Sequence, residues 1–107
     1  MYARVLERKT KRGQAHALCM TIEQKGVPIF AKYPGFAEEI HPISEEMPES
    51  LLAISFWQNR EAAEKYRTES YSTIDEIYQP LLAGGFQVRG YDVPFASAFK
   101  ARAAKAS

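Results

Sequence analysis

Cysteine is nearly missing from this chain. Cys19 is its single thiol in 107 residues, which excludes an intramolecular disulfide framework and fits a reducing compartment. Long apolar runs are missing too. None approaches the ~20 residues needed to cross a bilayer, so no membrane partner is expected. Charge of one sign is not in excess: the formal +1 supplies no global field to draw in nucleic acid or an anionic surface. The opening Met-Tyr-Ala-Arg-Val-Leu-Glu-Arg lacks the basic start and apolar stretch of a signal peptide, and a cytoplasmic protein is the expectation. Histidine is scarce: His16 and His41 are the whole supply, and residues 58–93 hold none.

What is present is ordinary for a globular domain, with 46% hydrophobic and 25% charged residues. The length suits one domain, and such a chain buries roughly two-thirds of the surface it exposes when unfolded. We expect that domain over 1–94, followed over 95–107 by an Ala-rich basic tail that reads as a short helix or as disordered.

Periodicity gives the order of elements. Residues 2–8 alternate as a strand, and 9–13 form a basic turn. From about Gln14 the apolar residues Leu18, Ile22, Ile29 and Tyr33 recur at helical steps. Gly26 and Pro28 interrupt them, which predicts a kink or two helical pieces. Pro34-Gly35 stops the run. Residues 36–43 read as a second strand, and a polar connection with three glutamates leads to a third over 51–57, the most apolar. Asn59 is placed to cap the next helix, with Glu61 in its first turn. Ser72-Thr-Ile-Asp75 has the form of a capping box and predicts a fresh helical start there. Ile74, Ile77, Tyr78, Leu81 and Leu82 then continue at helical spacing as far as Gly84-Gly85. The last strand spans 86–93.

The order β-α-β-β-α-β is the ferredoxin-like split-βαβ plan, an α+β class with an antiparallel four-stranded sheet in order 4-1-3-2. Both helices then lie on one face. The other face should alternate cleanly if water covers it. The third strand does not: Leu52, Ile54 and Phe56 line one side, while Leu51, Ala53 and Trp57 line the other. A second copy covering the open face, as a homodimer, is the expected remedy. The alternative is a fold-back of the tail with Phe95 and Phe99 as anchors.

Tyr33-Pro-Gly-Phe36, Phe56-Trp-Gln-Asn-Arg-Glu-Ala-Ala63, Tyr66 and Ser70-Tyr71 together resemble the dimeric α+β barrel superfamily. Within it they resemble the antibiotic-biosynthesis-monooxygenase-like domains. The likeness covers 1–93 by element order and is dense over about 55–72. It implies a cofactor-independent monooxygenase-like protein acting on a small aromatic or quinol-type substrate, with the reactive carbanion supplied by the substrate itself. The alternative is a non-catalytic small-molecule-binding or stress-associated dimer, since such folds host many functions. Tyr66 and Tyr71 are then candidate catalytic or wall residues, and Arg67 a candidate cationic donor. Arg4, Trp57 and Ile22 are candidate pocket residues, although Trp57 also reads plainly as core. Haem-degrading relatives carry a Trp on the helix after strand three and a ligating His beyond it. Here Tyr66 takes the first place and Asp75 and Glu76 fall near the second, and a carboxylate is a poor axial ligand. Haem degradation is disfavoured, and no cofactor is expected.

Three further readings come from the residues alone. His41, beside Glu39, is an acid–base candidate, with a solvent-exposed strand histidine as the plainer reading. His16, Cys19 and Glu23 share a helix face but form a weak metal signal, and no metal is expected. Arg8-Lys9-Thr-Lys11-Arg12 lacks interleaved aromatics and reads as a solvated turn.

Overall fold

The computed structural model describes residues 1–84 and 87–95. Four strands, β1 (Tyr2–Lys9), β2 (Phe36–Ile40), β3 (Ser50–Trp57) and β4 (Gln87–Asp92), form one sheet in order β2-β3-β1-β4 with every neighbouring pair antiparallel. This is the expected order. The helices α1 (Ala15–Thr21), α2 (Val27–Phe30) and α3 (Arg60–Tyr78) complete the β-α-β-β-α-β plan. The Phe86 end of the fourth strand and the tail beyond Phe95 lie outside the described residues.

Alternation along the strands decides which side chains meet the helices. Tyr2, Arg4, Leu6 and Arg8 of β1 stand opposite Trp57, Ser55, Ala53 and Leu51 of β3, forming the inner face. Leu51 and Trp57 are fully buried there. Val5, Leu52, Ile54 and Phe56 form the outer face and are half-buried, with Ile40 and Tyr91 more exposed at its margins. Phe95, one of the two anchors that a tail cover would need, is 78% exposed.

The first crossover is broken, as Gly26 and Pro28 predict, and the break is a π-helical turn. Ile22–Gly26 separates α1 from α2, and the Val27 N–H reaches back five residues to the Ile22 carbonyl. Pro28 has no N–H to continue an ordinary ladder, and its ring needs room in the preceding turn.

The second crossover differs from expectation at both of its inner marks. It does not restart at Ser72: α3 is continuous over 19 residues. The Asp75 carboxylate that would have folded back onto the backbone is taken by Arg8 and Gln79 instead. Nor does it run on to Leu82. Pro80 ends the α-helix at Tyr78, a short 3-10 turn covers Gln79–Leu81, and Leu82 pairs with Thr10 as an isolated bridge. The start is as predicted, with Asn59 Oδ1 accepting from the Ala62 N–H at 2.9 Å. Ala63, Tyr66, Ile74 and Tyr78 form the buried stripe. Burying Ile74, 1% exposed, stabilises the fold by about 2 kcal/mol.

β2 is shorter than read, because Pro42 ends it and Ile43 makes only an isolated bridge with Leu51. It also carries a bulge. Phe36 faces Trp57, but it is Glu38, not Ala37, that faces Phe56. One extra residue shifts everything beyond it to the opposite face.

Candidate functional site

A cavity of about 380 Å³ lies between the inner sheet face and α3, within the range of small-molecule sites. Its cause is legible in the register. In the inner row of β3, Leu51 and Trp57 are large while Ala53 and Ser55 between them are small. Leu6 and Arg4 stand opposite those two, and Tyr71 and Arg67 of α3 close the space above them.

One end of the cavity is aromatic. Trp57 and Tyr66 stack with ring centroids 5.4 Å apart, and Phe30 meets Tyr66 edge-on at 4.8 Å. Tyr33 packs edge-on to Tyr66, and Phe36 to Trp57. The indole Nε1 donates to Ser55 Oγ at 2.9 Å, so the one polar atom of Trp57 is satisfied inside. Trp57 is therefore both core and cavity wall. The Tyr33 and Ser70 hydroxyls share a hydrogen bond at the outer edge of this cluster.

The arginines are tethered. Arg4 Nη1 donates to Glu64 Oε1 at 2.9 Å, and Arg67 Nε donates to Glu64 Oε2 at 3.0 Å. The Arg67 hydrogen bond is the chief reason that the Glu64 carboxyl is held below the usual range. Two cations sharing one carboxylate leave a local charge of one plus at the rim. Arg8, expected in a solvated turn, is instead 3% exposed. It donates to the Tyr71 hydroxyl at 2.9 Å and to Asp75 Oδ1 at 2.8 Å, because its place in the inner row of β1 points it beneath α3. Lys9, Lys11 and Arg12 are exposed as read.

Tyr66 is 6% exposed. Burial pushes its phenol far above the ordinary value, with Tyr78, Glu39 and Tyr71 adding to the effect. Burial raises Tyr71 as well, against the pull of Arg8. Both phenols are thus neutral hydrogen-bonding groups at physiological pH and not bases.

Of the residues named from sequence, Arg4, Trp57, Tyr66, Arg67 and Tyr71 all line this one cavity. Ile22 does not. It sits 1% exposed in the core, one turn beyond Leu18 on the same helix face. His41 does not line the cavity either, nor is it an exposed strand residue. Its side chain is 8% exposed, with Nε2 3.1 Å from Glu23 Oε1 and Nδ1 3.7 Å from Glu39 Oε1. Glu23 is therefore turned toward His41, the Cys19 thiol toward the His41 carbonyl, and His16 is exposed. Among the described residues no group of three or more His, Cys, Asp or Glu side chains is placed to hold a metal.

Sequence reasoning missed Glu39 as a cavity residue. Glu39 is among the lining residues, and burial, with the nearby Glu23 charge, pushes its carboxyl up to about 8. Oε2 finds no hydrogen-bond partner among the described residues. The strand pattern Phe-Ala-Glu-Glu-Ile does not mark the bulge that turns it inward.

The same arrangement of strands and helices recurs in solved structures. A monooxygenase of Streptomyces coelicolor, solved in complex with the ligand nanaomycin D, superposes with a TM-score of 0.73 at 14% identity, covering 89% of this chain and 88% of that one. SnoaB, a cofactor-independent oxygenase from Streptomyces nogalater, gives 0.68 at 14% identity over 89% and 95%. NE2512, a protein of unknown function from Nitrosomonas europaea, gives 0.71 at 12% identity over 89% and 90%. The fold is that of the antibiotic-biosynthesis-monooxygenase-like domains. No family model and no curated protein matches the chain. Likeness at these identities fixes the arrangement of the backbone and carries no reaction with it. No helix among the described residues is long and apolar enough to cross a membrane.

Proposed function

We propose that the cavity takes a small hydroxylated aromatic or quinol-type molecule and that the protein is a cofactor-independent monooxygenase. The observation that carries this is the juxtaposition of the stacked Trp57–Tyr66 wall with a cationic rim at Arg4 and Arg67, across a cavity of about 380 Å³. A planar ring packs against the aromatic end, and an acidic substituent meets the rim. In this reading the neutral Tyr66 hydroxyl donates to an oxyanion that develops on the ring. In the balanced reaction an activated CH₂ loses a proton and its carbanion reduces dioxygen. The resulting peroxide loses water, so that R₂CH₂ and O₂ become R₂C=O and H₂O. The protein supplies position and a dry site.

A homodimer through the outer sheet face belongs to the same proposal, supported by the half-buried row Val5, Leu52 and Ile54, which no helix among the described residues covers. A domain limit near residue 94 and a cytoplasmic setting belong to it too. The second reading is a non-catalytic binding dimer. It is favoured by the tethering of both rim arginines to Glu64 and of Tyr71 to Arg8, which makes a receptive but restrained pocket.

Thermal shift with a panel of hydroxynaphthoquinols and anthrones, paired with oxygen uptake, tests the proposal. The expected result is a rise in Tm and oxygen consumption matching ketone formation without added cofactor. Ala53→Leu, which fills the cavity, should remove both. A Tm rise with no oxygen uptake would select the binding reading, and no shift with any member of the panel would sink both.

A further inference from the structure

The bulge in β2 has a chemical result. It places Phe36, Glu39 and His41 on the inner side, where unbroken alternation from Phe36 would have sent Glu39 outward opposite Ile54. Instead Glu39 faces Ser55 and reaches the cavity, while His41 stands two residues further along the same row. Behind His41 lies Glu23, on the π turn, with a side chain 60% exposed.

These three side chains form a graded series from inside to outside. Glu39 is 5% exposed, His41 8%, and Glu23 is at the surface. Glu39 Oε2 and His41 Nδ1 are buried without a hydrogen-bond partner among the described residues. The geometry points to a proton path from the cavity to solvent through Glu39, His41 and Glu23, with Glu39 exchanging the proton of a bound hydroxy-aromatic molecule. The identity of the donor rests on the oxygenase reading; the path itself does not.

The steps balance as proton transfers alone. Ionised Glu39 takes a proton from an O–H or activated C–H of the bound molecule, and the electron pair stays on that molecule. Glu39 passes the proton to His41 Nδ1 across the 3.7 Å gap, which a small side-chain rotation closes. His41 releases its Nε2 proton to Glu23 Oε1, 3.1 Å away, and Glu23 loses it to bulk water. The imidazole is left as its other tautomer and resets by a ring flip. The groups facing Glu39 suit this role. From the helices come Glu23, whose charge disfavours ionisation, and the Tyr66 and Tyr78 phenols, each in turn raised by Glu39. From β2 comes His41. Arg4 of β1, whose charge acts on the neighbouring Tyr66, is held by Glu64. A carboxylate so placed is a far stronger base than an exposed one and is matched to neutral pH.

The test follows the side-chain carboxyl carbon of Glu39 by NMR from pH 5 to 10 in protein labelled with ¹³C-glutamate. Glu39→Gln identifies the resonance. In the wild type a single averaged line should titrate with a midpoint near 8. His41→Gln should slow proton exchange about tenfold or more, broadening or splitting that line through the titration. Glu23→Gln, a surface change with no folding risk, should lower the midpoint by roughly one unit, because a like charge is removed. An unaltered line shape in His41→Gln together with an unaltered midpoint in Glu23→Gln would overturn the path. Oxygen uptake with an anthrone supplies the second arm. There His41→Gln should be slower than wild type and be rescued by added imidazole. A wild type that consumes no oxygen refutes the oxygenase reading, while the NMR arm, which needs no ligand, still decides the path.

Discussion

The Tyr78 hydroxyl occupies the place where a β-carbon on Gly26 would stand. Gly26 belongs to the π turn and Tyr78 is the last residue of α3, so this contact is where the two crossovers lock together. It exists because one partner has no side chain.

Gly26→Ala should therefore destabilise the protein by about 1–3 kcal/mol through overlap. The sign is informative, since alanine is otherwise favoured over glycine inside a helix by about 1 kcal/mol. Adding Tyr78→Phe should restore part of the loss. That hydroxyl is buried without a hydrogen-bond partner among the described residues, and removing it opens the needed space. Urea denaturation midpoints of the two single variants and the double variant check this.

Glu39 should make stability depend on pH. Its folded-state value is raised to about 8 from 4.5, so between those values the native state holds a proton that the unfolded chain has released. Stability is then full below about pH 4.5, falls as pH rises, and levels off above 8. Glu39→Gln should remove that slope and be the more stable protein at pH 9, by on the order of 3 kcal/mol. Denaturation curves of both proteins at pH 5, 7 and 9 measure it; parallel pH profiles would contradict the burial of this carboxyl.

Arg8 is buried and depends on Asp75. Asp75→Ala leaves the guanidinium with Tyr71 but without its anion, and should cost about 3 kcal/mol. Arg8→Met with Asp75→Ala should be closer to wild type than Asp75→Ala alone, because no charge is then left inside. A double-mutant cycle in urea provides the comparison.

Ile54 lies in the middle of the apolar row on the outer sheet face. Light scattering should give a dimeric mass for the wild type and a monomeric one for Ile54→Glu, with the monomer still folded by circular dichroism. A monomeric wild type would refute the covered-face proposal.

The strands and the start of α3 could be read directly, because Asn59 and the apolar rows act locally. Five of the cavity residues, Arg4, Trp57, Tyr66, Arg67 and Tyr71, were named through the resemblance, and the placing of β1, β3 and α3 brings them to one cavity. The misreadings share another cause. Asp75 looked like half of a capping box until Arg8, distant in sequence, claimed its carboxylate. Pro80 was passed over because the leucines beyond it kept helical spacing. Glu39 and His41 were hidden by the bulge, since a strand with two adjacent glutamates alternates equally well in either register.

That bulge makes the interior chemistry a matter of counting. Were Ala37 to pair with Phe56 instead of bulging out, Glu38 would take the place of Glu39 opposite Ser55 and His41 would swing to the outside. An acid–base group can thus be installed in or withdrawn from this scaffold by whether one residue bulges or pairs. Lineages that share the backbone can diverge in reactivity through strand register alone, with no substitution in the cavity at all.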